Sequence, residues 1–255
     1  MNGENELNRT NGEAERIPSI LIEDLHKAYG DKQVLKGLNL KVYPCELFGF
    51  IGRNGIGKST TIDCMIGAKQ FQSGRILIDG FDIAKQPLEA KKRFGYVASE
   101  PSCYEVMTGY DYLEFIAGIY KISEGEFIKN YTYLCGRLKL DIKELKNRIS
   151  EYSHGMKQKL AIISALIHSP KVLILDEPFV GLDPKASFIL KEIMKEFCNN
   201  GGCIFFSTHV LEVAEKICDK IGIIKGGKLM AYGKTNEVIG DKSLENIFME
   251  MIDNE

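Results

Sequence analysis

From Ser19 the chain alternates apolar and polar positions with a period of two, first in "SILIEDL", then in "LNLKV", where Leu38, Leu40 and Val42 share a face, then into "ELFGFI". Such alternation predicts half-buried strands, so the first third opens as antiparallel-type sheet. A glycine-rich loop follows, after which Ile62, Met65 and Ile66 fall at helical spacing; "GRILIDG" and "RFGYVAS" predict further strands. Between about 102 and 150 strand patterns vanish. Leu113, Ile116 and Tyr120 share a helical face and "EGEFIKNYTYLCGRLKL" continues helical, which predicts an all-helical lobe inserted into the sheet domain. Past it come "VLIL", a helix with Ile189, Ile193 and Phe197 on one face, and "CIFFS". Short, wholly apolar runs alternating with helices predict a buried parallel sheet. "IGIIKGGKLMAY" predicts a hairpin around Gly226 and Gly227, and Leu244, Ile247, Phe248 and Met251 predict a closing amphipathic helix over 238–255. Residues 1–17 lack apolar periodicity and are expected to be a disordered tail, leaving a main domain over 18–237.

At 255 residues and 44% hydrophobic content the chain can bury one large core or two small ones. Lys and Arg number 33 against 35 Asp and Glu, a net charge of -2, so no basic excess favours a nucleic-acid partner and none is expected. Seven cysteines (45, 64, 103, 135, 198, 203, 218) include no Cys-x-x-Cys spacing, and several lie in apolar contexts. Buried, reduced thiols in a cytoplasmic protein are expected. No apolar run approaches the ~18 residues that span a bilayer, and the polar opening "MNGENELNRTNGEAER" is unlike a signal sequence. The expectation is a soluble chain that can still sit on a membrane protein.

Two stretches are suited to hold anions. Gly52-Arg53-Asn54-Gly55-Ile56-Gly57-Lys58-Ser59 follows a strand and opens a helix, the context a phosphate loop demands. Its glycines let backbone N–H groups wrap phosphates, the helix start adds partial positive charge, Lys58 supplies a point charge, and the Ser59 hydroxyl can ligate Mg²⁺. In "EYSHGMKQKLAI", at 151–162, Ser153 and Gly155 stand ahead of an apolar run; taken alone this is an ordinary Ser-capped helix over 153–168. "VLILDEP" then sets Asp176 and Glu177 at the end of an apolar strand, where an unpaired carboxylate costs several kcal/mol unless it faces solvent, a cation or a reacting water. Asp176 suits Mg²⁺ held through water, and Glu177 suits polarisation of the water that attacks a γ-phosphate. Asp183 before Pro184 is a strong helix start.

With phosphate loop, "YSHGM" and "LILDEP" in that order, the chain resembles the ATP-binding subunits of ABC transporters from Ile20 to about Tyr232. The "YSHGMKQKL" wording looks like single-domain subunits of bacterial exporters. The resemblance implies an α/β fold of the P-loop NTPase, ABC-type ATPase kind: a mixed sheet core with an N-terminal antiparallel β-subdomain and an inserted α-helical subdomain. It implies a Mg²⁺-dependent ATPase that energises a separately encoded transmembrane permease from the inner face of the membrane. It also implies a second ATP-binding subunit, facing head to tail and closing on ATP.

Residue by residue, ATP would lie against Tyr29, which stacks on adenine, and against Gly52, Asn54, Gly55, Gly57, Lys58, Ser59 and Thr60. Ser59 and Asp176 would hold the metal, while Glu177, His209 and Lys58 would act in catalysis. Ser153, His154, Gly155 and Met156 would bind the γ-phosphate held by the facing subunit, and Asp183 would cross the dimer. Tyr152, His154 and Met156 depart from the commonest form of that signature, whereas Ser153 and Gly155 keep its hydroxyl and its close-approach backbone. Where the family has a coupling-loop glutamine this chain has Ser99, followed by Glu100. The aromatics Tyr104, Tyr110, Tyr112, Phe115 and Tyr120 pack the helical lobe or offer anchors for a permease helix. Two other readings compete: a related soluble ATPase acting on ribosomes or DNA, and a P-loop kinase or GTPase. The first lacks the second nucleotide domain or coiled coil usual there, and the second lacks an "NKxD" guanine-reading motif.

Overall fold

The structure, a computed structural model, describes residues 16–101 and 103–253, so the expectation for the first 17 residues lies almost wholly outside it. Two sheets organise the chain. The smaller is antiparallel, in the order β2 (Lys32–Val42), β1 (Ile20–Tyr29), β4 (Ser73–Ile78), β5 (Phe81–Asp82). The larger runs β10 (Lys228–Lys234), β9 (Lys220–Lys225), β3 (Leu47–Ile51), β8 (Cys203–Thr208), β7 (Val172–Asp176), β6 (Phe94–Val97). It is parallel from β9 to β6, with β10 added as an antiparallel edge.

β3 corrects the expectation that "ELFGFI" belongs to the antiparallel opening. All five of its positions are buried and it sits between β9 and β8. A run apolar at every position can satisfy itself only where both faces are covered. Its alternate side chains serve two different cores. Leu47 and Ile51 join Val97, Leu173, Leu175, Ile204 and Phe206 in a core shared with the helices, whereas Phe48 and Phe50 join Ile174, Phe205 and Ile224 against the antiparallel sheet. Phe205 lies 5.5 Å from Phe48 and 5.3 Å from Phe50, ring centroid to ring centroid.

The helices follow the expected periods with shifted ends. α1 (Lys58–Met65) leaves the phosphate loop, and α2 (Pro87–Lys91) precedes β6. The inserted helical segment begins at α3 (Gly109–Tyr120), not at 102, because the Thr108 hydroxyl accepts from the Asp111 N–H and fixes the helix start. It continues through α4 (Glu124–Leu138) and two 3₁₀ turns into α5 (His154–Leu166). α5 stops short of 168: Ser169 adopts a left-handed φ of 52° and Pro170 follows. α6 (Pro184–Asn199) and α7 (Leu211–Ile217) flank β8. The expected closing helix over 238–255 is two helices, α8 (Thr235–Ile239) and α9 (Leu244–Asp253), because Gly240 at φ 56° breaks the run.

All seven cysteines are free, and burial pushes the Cys64 thiol up to about 11 and the Cys198 thiol up to about 12, which keeps them protonated and inert. Cys45 departs from the expectation of burial and is exposed, in a turn with φ 66°. No described helix is long and apolar enough to cross a membrane.

Candidate active site

The parallel strands deliver the chemistry at their carboxyl ends. β3 runs into the loop 52–57, and Gly57 caps α1 at φ 123°, a backbone angle that side chains rarely adopt. The N–H groups of Lys58, Ser59 and Thr60 have no hydrogen-bond acceptor among the described residues, so they point outward as donors for an anion. Asn54, Gly55 and Ser59 are exposed, and Gly52 is buried at the foot of the loop. The Lys58 side chain is buried and folds back along the loop. Its ammonium donates to the Gly52 carbonyl at 2.7 Å and to that of Arg53 at 3.3 Å, and pairs with Glu177 Oε1 at 3.3 Å.

Glu177 and Asp176 leave β7 together. Glu177 has φ 49°, unusual for a residue with a side chain and costing on the order of 1–3 kcal/mol. Its N–H donates to Ser207 Oγ at 3.1 Å and to the Ser207 carbonyl at 3.2 Å. Glu177 Oε2 accepts from the His209 N–H at 3.3 Å and lies 3.0 Å from His209 Nδ1. Glu177 Oε1 is buried and, apart from its ionic contact with Lys58, makes no hydrogen bond. Asp176 is 4% exposed, and its Oδ1 accepts from the Ser207 hydroxyl at 2.5 Å. Burial, with the negative charges of Asp176 and Asp63, pushes the Tyr96 phenol up to about 12. Lys58, Asp176, Glu177 and His209 are thus brought to one place.

The remaining predicted residues occupy its surroundings. Tyr29 ends β1, 42% exposed, with Lys27 Nζ 4.7 Å and Lys69 Nζ 5.3 Å from its ring centroid. Ser99, half-buried, and Glu100, exposed, lie just past β6 with no hydrogen bond or ion pair to Asp176. Ser153 caps α5, its hydroxyl accepting from the Met156 N–H at 3.3 Å; Ser153 and His154 are exposed, and Gly155 and Met156 half-buried. Tyr152 is buried instead and donates to the Glu144 carbonyl at 2.7 Å. No hydrogen bond or ion pair joins residues 153–156 to the loop 52–59 among the described residues. Asp183 caps α6, accepting from the Ala186 N–H at 2.8 Å. A Cβ on Gly181 would come within 2.5 Å of His154 Nε2, so the start of α5 rests on the loop between Glu177 and Asp183.

Two residues here escape sequence reasoning. Ser207 holds the Asp176 carboxylate and the Glu177 backbone N–H, and its only signal is a hydroxyl near the end of "CIFFST". Gln158, fully buried on α5, faces the Pro178 carbonyl at 3.5 Å just after Glu177; nothing in its helical period marks it as more than one polar residue among several.

Comparison with known proteins identifies the family of the chain. A profile described as ABC transporter matches residues 35–180. The linearmycin resistance ATP-binding protein LnrL of Bacillus subtilis (strain 168) is 35% identical over 216 residues, covering 85% of this chain and 69% of that protein. The lantibiotic transport ATP-binding protein SrtF of Streptococcus pyogenes is 33% identical over 231 residues, covering 91% and 96%. A solved structure of an ATP binding subunit of an ABC transporter superposes with a TM-score of 0.88 at 33% identity, covering 92% of this chain and 99% of that one. A phosphate loop, two carboxylates at the end of a buried strand and a histidine just past the neighbouring strand thus sit in the fold of these relatives, and the chain belongs to the ABC transporter family as an ATP-hydrolysing enzyme coupled to transport.

Proposed function

We propose that this chain is the ATPase of an exporter, closing on ATP against a second ATP-binding subunit and thereby driving a separately encoded transmembrane permease from the inner face of the membrane. The observation that carries the reading is Glu177, one carboxylate that faces the phosphate-loop ammonium at 3.3 Å and the His209 imidazole at 3.0 Å.

The open N–H groups of Lys58, Ser59 and Thr60, with the Lys58 ammonium, bind the phosphates. The γ-phosphate competes with Glu177 for that ammonium, and Glu177 Oε1, buried and without a hydrogen bond, is then free to accept from the attacking water. His209 holds Glu177 Oε2 and so fixes which oxygen faces the water. Glu177 and Asp176 at the strand end, with the exposed Ser59 hydroxyl, suit a divalent cation. Ser59 and Asp176 would hold Mg²⁺, which neutralises charge on the phosphate oxygens. Tyr29, exposed at the strand end ahead of the loop, offers adenine a ring face, with Asn54, Gly55 and Thr60 lining the phosphates.

Ser153, His154, Gly155 and Met156 form a second anion-seeking helix start with no bond to the first, and a Cβ at Gly155 would meet nothing within 4 Å in this chain. Both features fit a site completed by the nucleotide of a facing subunit, with Asp183 reaching across. On α3 and the stretch leading into it Tyr104, Val106, Phe115 and Ile119 are 60%, 84%, 45% and 59% exposed, an apolar surface suited to a permease helix beside the Ser99–Glu100 loop. Relatives named for linearmycin resistance and lantibiotic transport support peptide or antibiotic export.

Substituting Glu177→Gln removes the negative charge and keeps the shape. Expected are unchanged ATP binding, turnover reduced at least ~100-fold, and a dimer in gel filtration with MgATP. Native-rate hydrolysis by that variant would overturn the role of Glu177.

A further inference from the structure

Consecutive residues of a strand point to opposite faces, yet Asp176 and Glu177 must serve one site. The chain solves this by leaving β7 at Glu177 with φ 49°. That turn has few visible anchors. The Glu177 N–H is taken by Ser207 alone, through both Oγ and carbonyl oxygen, and Ser207 Oγ donates its one proton to Asp176 Oδ1. Ser207 lies opposite Asp176 in the parallel pairing of β8 with β7 and is fully buried, so no water replaces it. Two residues further along the same chain, His209 takes hold of Glu177 Oε2.

We propose that Ser207 is a positioning residue for ATP hydrolysis: its hydroxyl ties the Asp176 carboxylate to the Glu177 backbone N–H, orienting Asp176 toward the cation and fixing the strained turn from which the Glu177 side chain leaves. Asp176 Oδ1 has no other hydrogen bond among the described residues, so removing the hydroxyl lets that carboxylate rotate in a buried setting. The Glu177 N–H keeps the Ser207 carbonyl, so the fold survives while Asp176 loses its aim and the turn at Glu177 loses one of its two anchors.

This inference rests on the reading of Asp176 and Glu177 given above, and two readouts separate the failure of one from the failure of the other. Binding of the fluorescent nucleotide mant-ATP, titrated with Mg²⁺, needs no turnover. In Ser207→Ala the half-saturating Mg²⁺ concentration should rise ~10-fold, as when an outer partner of a metal ligand is removed. The kcat should fall ~10–100-fold with KM for ATP within ~3-fold. Ser207→Thr restores the hydroxyl and should recover both quantities to within ~3-fold. An alanine variant with wild-type Mg²⁺ dependence and kcat overturns the proposal, and so does an equal loss in the alanine and threonine variants. Wild-type turnover and the Glu177→Gln variant judge the functional reading separately, whatever Ser207 does.

Discussion

At the scale of single residues, the site is a competition for one ammonium. Lys58 is buried and its contacts are two carbonyls and the Glu177 carboxylate, so its charge is compensated within the chain. A bound phosphate has to improve on those contacts. It does so because charge-assisted hydrogen bonds to a polyanion are stronger than those to neutral carbonyls. Lys58→Ala should therefore weaken ATP binding by about 2–3 kcal/mol, roughly 30- to 150-fold, as read by calorimetric titration. It should also leave Glu177 Oε1 buried without a cation, so the variant is expected to melt below the wild type. An ATP affinity within a few-fold of wild type would remove Lys58 from the phosphate site.

Among elements, the helical segment is fastened to the sheet by an aromatic stack with a titratable partner. Tyr120, at the end of α3, lies 3.7 Å from His168, ring centroid to ring centroid and nearly parallel, and His168 Nε2 is 3.1 Å from the Phe94 carbonyl on β6. Burial pulls the His168 imidazole down to about 4 from its ordinary 6.5. The unfolded chain therefore binds this proton more readily than the folded one. Stability is fully present above pH 6.5 and is lost as pH falls toward 4, by about 3 kcal/mol at most. In His168→Phe the ring remains and the proton is gone, so its melting temperature should fall less than that of the wild type between pH 7 and pH 4.5. Parallel curves for the two proteins would deny His168 this part.

Most elements were legible in the sequence because period is a local property. The amphipathic face of α3 and the apolar runs of β7 and β8 declare themselves within a few residues. β3 did not reveal its sheet, because "LFGFI" has no alternation and a continuous run does not say which neighbours cover it. The break between α8 and α9 was missed because Leu244 to Met251 kept the helical spacing while Gly240 interrupted the backbone ahead of it. In the site, the loop, Asp176, Glu177 and His209 were legible as motifs. Ser207 was not, since its meaning depends on lying opposite Asp176, thirty-one positions away, and register between strands is not written locally.

For the whole molecule, the proposed cycle needs contacts that link the phosphate site to the face that would meet a neighbour. The loop from Glu177 to Asp183 begins at the carboxylate proposed to act on the water, passes under His154 at Gly181 and ends as the cap of α6. In the proposed cycle a shift at the phosphate would pass along this loop to the helix start that would face a neighbour. Copurification with a membrane-embedded partner, and its loss when Tyr104 and Phe115 are replaced by charged residues, is the expected outcome if the exposed lobe is the docking surface. The central sheet also governs how the molecule comes apart. Because Leu47 and Phe48 are neighbours in one strand yet belong to opposite interiors, melting either interior strips a face from the strand that holds up the other. Heating should accordingly give a single calorimetric peak whose van't Hoff and measured enthalpies agree, with no separately unfolding lobe.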